Sequence, residues 1–193
     1  MSLAPTTELE AINVMLSAIG EAPVSTVEDN GVVDAVVART ILRNTSREVQ
    51  SRGWHWNTDK ALSLVLTFPE GFAVLPSNCL RIDSVNDSAN IDVVQRGNRL
   101  YDRRKHTYTF EGPLTVDMVV LLAFEELPEA ARNYITMRSA RVFQERFIGS
   151  ETLSTFNRRD ELVAWSNLLN AEAETADANI LTDNYSVYRV LDR

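Results

Sequence analysis

Cysteine is nearly absent: Cys79 stands alone, so no disulfide can form within the chain, and the composition fits a reducing compartment. Histidine is almost as scarce. His55 and His106, even taken with Cys79, offer no zinc-ligand spacing. There is no continuous apolar run of about eighteen residues and no charged-then-apolar start, the marks of a membrane span and a secretion signal. Positive charge is also short: 19 basic against 27 acidic residues give a net charge of −8, which argues against a general nucleic-acid-coating or membrane-surface protein. Lysine is the rarest of the charged types. Only Lys60 and Lys105 occur, so 17 of the 19 basic side chains are arginine. Arginine suits desolvated, bidentate contacts and is enriched in interfaces, although codon usage produces the same skew.

What is present organises around residues 34–56. Ala38, Ile41, Leu42, Thr45 and Val49 fall on one buried helical stripe, with Arg39, Arg43, Arg47 and Glu48 off it. Asp34 is placed to cap the first turn and Gly53 to end the helix, and Trp54 and Trp56 share a side if the chain leaves extended. Before this helix, Thr7 and Glu10 form a capping box for another, with Leu9, Ile12, Met15, Leu16 and Ile19 as its stripe and Gly20 as its end.

After Asn57 the period changes to two. Leu62, Leu64, Leu66 and Phe68 alternate as a half-buried strand, and Leu80, Ile82 and Val85 mark a second. Arg96-Gly97-Asn98-Arg99 reads as a hairpin turn, and Tyr108 and Phe110 as part of another strand. The alternation from Leu114 to Phe124 is apolar at nearly every position, so that strand is expected at the centre of its sheet, covered on both faces. Pro128 at the first helical position opens a third helix reaching Phe147. Its apolar residues Tyr134, Ile135, Met137, Val142, Phe143 and Phe147 cover more than one face and are interrupted by Arg132, Arg138, Arg141 and Arg146. That mixture predicts packing on several sides, partly by a neighbouring subunit. A fourth helix over about 151–176 is expected to bury Leu162, Trp165, Leu169, Ala173 and Ala176. The segment 179–193 has no clear period but is rich in apolar residues, too many for a solvated end.

These expectations assemble into an α+β fold: an antiparallel helical bundle drawn from both ends of the chain, with an inserted antiparallel β-sheet or sandwich region. The divisions are a helical hairpin over 1–57, a β insertion over 58–126, bundle helices over 127–178 and an extended tail over 179–193.

No catalytic constellation is visible. The acidic pairs Glu125–Glu126 and Glu8–Glu10 are of the kind a glycosidase uses, but adjacent carboxylates at helix starts more often cap or are solvated. No G-x-S-x-G elbow and no phosphate-cradling glycine loop occurs. The one charge anomaly is 96–105, where Arg96, Arg99, Arg103, Arg104 and Lys105 face a single Asp102. Two readings fit this strip: contact with nucleic acid or an acidic partner, or a charged hairpin guarding an exposed sheet edge.

Several stretches resemble the tail tubular protein A family, head-to-tail adaptors of short-tailed phages. They are residues 18–26 (AIGEAPVST), Ala38-Arg39, Ile41-Leu42, 50–54 (QSRGW) and Trp56-Asn57. They continue with Arg96-Gly97, 100–103 (LYDR), 127–129 (LPE), Arg132, Tyr134-Ile135, 139–141 (SAR), Phe143, Arg146-Phe147 and Gly149. The resemblance spans about 8–150, and beyond Leu153 only the helical, acidic character matches. It implies a virion structural protein without catalytic residues, cofactor or metal, made in the host cytoplasm. Such subunits form a dodecameric ring between the portal protein and the tubular nozzle protein, and double-stranded DNA passes through the lumen without sequence-specific binding. A tail-associated glycan hydrolase is the alternative. On this reading Arg138, Arg141, Arg146 and Tyr134 are expected at the oligomer interface. Arg96, Arg99, Arg103 and Arg104 are expected against the nozzle or a neighbouring subunit, and Tyr185, Tyr188, Val190 and Leu191 against the portal.

Overall fold

Thr7 starts α1 (Glu8–Ser17) by the expected reciprocal bonds: its Oγ1 accepts the Glu10 N–H at 3.2 Å, and its own N–H donates to the Glu10 carboxylate at 2.8 Å. Ala11, Ile12, Met15 and Leu16 are fully buried, while Leu9 and Ile19 lie at the margin of that stripe. Gly20 follows with φ +83°, a conformation that costs glycine nothing. Asn13 then pins the outgoing chain, exchanging two hydrogen bonds with the Val24 backbone at 2.8 and 3.0 Å. The computed structural model describes residues 4–27 and 33–175. The whole of 179–193, with Tyr185, Tyr188, Val190 and Leu191, lies outside the described residues.

In α2 (Val33–Gln50), Ala38, Ile41, Leu42, Thr45 and Val49 are all buried, as their spacing predicts. Asp34 sits within the first turn rather than before it. The exit of α2 differs from expectation in form. Residues His55–Asn57 make a single 3₁₀ turn, not an extended strand, yet Trp54 and Trp56 still stack, their planes 8° apart at 6.1 Å. The 3₁₀ turn holds because Asn57 accepts the Trp54 N–H at 2.8 Å and donates to the Gln50 carbonyl at 2.9 Å.

Among the described residues five strands follow: β1 (Thr58–Leu64), β2 (Cys79–Ser84), β3 (Val93–Arg96), β4 (Arg99–Asp102) and β5 (Leu114–Val120). The sheet β1-β5-β2 is antiparallel throughout, and β5 is its middle strand, as its nearly continuous apolar run predicts. A bulge in β1 puts Ala61 at φ +52°, and the Asp117 carboxylate accepts the amide this frees at 2.8 Å. β3 and β4 form the expected hairpin, with Gly97 supplying φ +63° at the first turn position. Two expectations fail in this region. β1 ends at Leu64, and Phe68, assigned by alternation to the buried face, is 95% exposed on the loop beyond. Tyr108 and Phe110 belong to no strand; only single bridges involve Thr107 and Thr109. Leu64, Ala73, Leu75, Leu100, Leu114 and Val116 form an apolar core under these sheets.

Pro128 caps α3 (Glu129–Phe147) from just outside the helix, one position earlier than read from the sequence. Gly149 (φ +65°) separates α3 from α4 (Glu151–Thr175). Helices α1 to α4 each contribute to a second, larger core that includes Ile12, Leu42, Trp54, Ile135, Phe143 and Leu168. The apolar excess of α3 follows from its contacts with α1, α2 and α4 together. Arg132 is buried by hydrogen bonding rather than ion pairing. It donates to the carbonyls of Leu127 at 2.7 Å, Thr6 at 2.9 Å and Glu125, tying the start of the chain to α3. The chain is thus a mixed α+β fold.

Candidate functional site

α4 is where the sequence expectation and the structure part most usefully. The residues it buries are Ala164 and Leu168, with Trp165 partly covered. Leu162 and Leu169, expected on the buried stripe, are 62% and 44% exposed. Val163 and Phe156 are exposed on the other flank, and Phe147, Ile148 and Leu153 are exposed around the α3–α4 turn. A helix apolar on both sides of its buried line presents more apolar surface than the described residues cover. The sequence signal for this was the lack of a clean polar face on α4.

The residues expected at an oligomer interface divide by depth. Tyr134 is buried and packs against Trp165 with ring centres 5.0 Å apart. Arg138 reaches Glu48 on α2 at 2.5 Å and the Tyr134 hydroxyl at 3.1 Å, with Glu161 at 3.8 Å. Arg141 donates to Glu161 on α4 and to Glu145 at 2.9 Å. Its hydrogen bond to Glu161 raises the guanidinium above its ordinary pKa. Arg138 and Arg141 therefore fasten α2, α3 and α4 to one another inside the subunit. Arg146 alone of the four is exposed, next to Phe147.

Near the other end of α4, Trp165 stands edge-on to Trp54 at 5.7 Å, and Arg52 lies 4.8 Å from the centre of the Trp165 ring. Glu172 accepts from the His55 backbone at 2.7 Å and contacts its ring nitrogen Nδ1 at 2.5 Å. Arg52, Tyr134, Arg141, Arg158, Glu161, Leu162 and Trp165 border an open cleft of about 460 Å³, whose one carboxylate, Glu161, is already engaged by Arg141. A cleft of about 270 Å³ lies where α1 and α2 meet residues 121–125. Glu8, on its wall, pairs with Arg43 at 3.0 Å and Arg39 at 3.4 Å. The adjacent carboxylates act as caps: Glu126 accepts the Ala123 N–H at 2.8 Å, and Glu10 serves Thr7. His106 lies near Tyr101 at 3.5 Å, and Cys79, its thiol pKa raised by burial, near Gln95 at 3.6 Å, so the two histidines and the cysteine have separate surroundings.

The basic strip is the β3–β4 hairpin and the turn after it. Arg103 pairs with Asp92 at 3.6 Å and Lys105 with Glu111 at 3.1 Å. Buried Asp102 accepts the N–H groups of Arg104 and Lys105 at 2.7 and 2.9 Å, which shapes the turn. Arg96, Arg99 and Arg104 are exposed residues. No helix among the described residues is long and apolar enough to cross a membrane.

The chain matches the model of the tail tubular protein family over residues 9–178. It is also 28% identical over 155 residues to tail tubular protein A of Klebsiella phage KP34, an alignment covering 80% of this chain and 81% of that one. The match runs through the helical core, the sheets and α4, including the stretch beyond Leu153. The chain belongs to the tail tubular protein family and is a structural protein of a phage tail.

Proposed function

We propose that the protein is the head-to-tail adaptor: copies of the chain close into a ring, twelve in number by the family resemblance, between the portal protein and the tail nozzle protein. Double-stranded DNA passes through the ring on ejection without sequence-specific contact. The observation that carries this reading is the outward apolar surface of α4, where Leu162, Val163 and Leu169 stand exposed on a helix whose inner face is already packed. Such a surface is covered by a neighbour, by contact area rather than by chemistry. Arg146 and the exposed Phe147, Ile148 and Phe156 extend it around the α3–α4 turn. Arg138, Arg141 and Tyr134 support the same face from beneath. The helices from both ends of the chain act as an antiparallel bundle, and the β region of 58–126 is a separate insertion. The basic strip of Arg96, Arg99, Arg103 and Arg104 meets the nozzle or the adjacent subunit, and 179–193 meets the portal through Tyr185, Tyr188, Val190 and Leu191.

The charge agrees with a conduit. A ring of twelve chains at −8 each carries a negative charge on the order of a hundred, which keeps DNA from adhering to its wall. A glycan hydrolase needs two carboxylates facing a substrate at about 5–9.5 Å, whereas Glu161 and Glu8 in the two clefts are paired with arginines and Glu125 accepts the Glu8 N–H at 3.4 Å.

The test is native mass measurement of the purified chain, alone and mixed with a portal, for the wild type and for Leu162→Gln/Leu169→Gln. The wild type is expected to give a closed ring, alone or on the portal, and the variant to remain a monomer with its melting unchanged. A variant that still assembles fully, or a wild type that neither assembles nor binds the portal, sinks the adaptor reading.

A further inference from the structure

The turn at Gly97–Asn98 sets Arg96 directly opposite Arg99 across the hairpin. Like charges at directly opposed positions destabilise a sheet. Neither charge is neutralised by a carboxylate of the described residues. Among the described residues, no carboxylate lies within 4.0 Å of Arg96, Arg99 or Arg104, although Arg103 and Lys105 beside them each have one. What holds the two side chains is aromatic: the Arg96 guanidinium carbon is 3.6 Å from the centre of the Tyr101 ring, and that of Arg99 is 4.5 Å from Phe72. Tyr101 is in turn braced edge-on by Tyr108 at 4.9 Å. An arginine laid on a ring has already lost much of its rotamer freedom, while the N–H edge of the fork stays available. Two such forks side by side make a preorganised acceptor of carboxylates, with exposed Val74 and Tyr108 as apolar flanks.

We propose that Arg96 and Arg99 clamp carboxylates on a second copy of this chain. The charge distribution selects that occupant. Five cations against one carboxylate put 96–105 at +4 in a chain of −8, so the remaining residues of every copy carry −12. A copy approaching the strip therefore brings the complementary charge, and duplex DNA approaching the assembled chains meets a strongly repulsive field. A positive strip cannot pair with itself. The contact is head-to-tail, the class that closes into rings or runs on as filaments. The inference deepens the adaptor reading and rests on it for closure of the contact into a ring.

The experiment compares the full-length wild type, Arg96→Glu/Arg99→Glu and Arg96→Lys/Arg99→Lys by sedimentation and native mass, at salt from about 0.05 to 0.5 M. The wild type is expected to self-associate with a constant that falls about tenfold or more across that range. The glutamate variant is expected to be monomeric with unchanged circular dichroism. The lysine variant is expected to associate about tenfold more weakly, because an ammonium cannot present the stacked fork. A wild type that stays monomeric at about 100 µM overturns the clamp, as does a glutamate variant that associates like the wild type. The first of these leaves the adaptor reading standing, since a ring can still be built on a portal. Salt-sensitive filaments that never close support the clamp and count against the ring. A photo-crosslinking residue in place of Asn98, at the turn tip, gives an independent reading on unaltered arginines. Adducts at twice the chain mass are expected, and adducts to an added DNA duplex or to nozzle protein, or none between chains, overturn the proposal.

Discussion

Gln50 and Leu122 bind each other twice: the Gln50 side-chain oxygen accepts the Leu122 N–H at 2.8 Å, and its amide nitrogen donates to the Leu122 carbonyl at 3.1 Å. The second amide proton goes to the Ser46 hydroxyl at 3.0 Å. A fully buried glutamine at the end of α2 thus completes the backbone just past β5, 72 residues away. Asn57 does the same beside it, donating to the Val120 carbonyl at 3.0 Å. Helical core and sheet meet here through satisfied polar groups, which fix one relative position where an apolar seam would tolerate several.

Gln50→Leu leaves the half-buried Leu122 amide and carbonyl without their glutamine partners. It should destabilise the subunit by about 2–4 kcal/mol, read as a lowered urea midpoint. Ser46→Ala removes one bond and should cost about 1 kcal/mol. Equal effects of the two substitutions would contradict the role given to the Leu122 contact.

Arg138→Glu/Arg141→Glu should weaken the isolated subunit before any question of assembly arises. The side chains of Arg141 and Glu161 are 18% and 13% exposed, so charge reversal leaves Glu161 facing a like charge with little water. A loss of about 1–3 kcal/mol is expected, less than for a fully buried pair because residual exposure screens it. Arg146→Glu, on the exposed part of the same helix, should leave melting nearly unchanged and lower self-association. Thermal melts set beside sedimentation separate the two arginine roles.

Glu145 ties the last turn of α3 to α4. Its carboxyl accepts from the Ser154 hydroxyl at 2.8 Å and lies on Arg141, and these bonds hold its pKa below the ordinary glutamate value. The stability this adds is present above the unfolded-state pKa and is lost as pH falls through the lowered folded-state value. Ser154→Ala should move the Glu145 titration back up, detectable by carboxyl NMR. It should also shrink the gap in stability between neutral and acidic pH. An unmoved Glu145 titration would show that the serine bond is not what lowers it.

Removing residues 180–193 tests the portal contact proposed for the tail. Portal binding should be lost while the melting temperature of the subunit stays where it was. A large drop in that temperature would instead place the tail on its own subunit and end the tether proposal.

Local chemistry was legible in the sequence. The Thr7–Glu10 box, the α2 stripe, the Gly97 turn and the central place of β5 each depend on residues a few positions apart, and there the structure agrees. The spacing of Trp54 and Trp56 predicts one side of an extended chain; they stack instead across a 3₁₀ turn that Asn57 holds through bonds to Gln50 and Val120. Three decisions belong to the tertiary structure alone. Phe68 obeys the strand alternation but lies beyond the last paired residue, so nothing holds it to the sheet. Arg138 and Arg141 look like outward charges on a helix until α4 folds back and brings Glu161 between them. For α4 itself, periodicity offers more than one apolar line. The inner line is Ala164 and Leu168, set against α3, and Leu162 and Leu169 stay outside. A helix with apolar residues on several sides does not specify which side goes inward; the surface it packs against does.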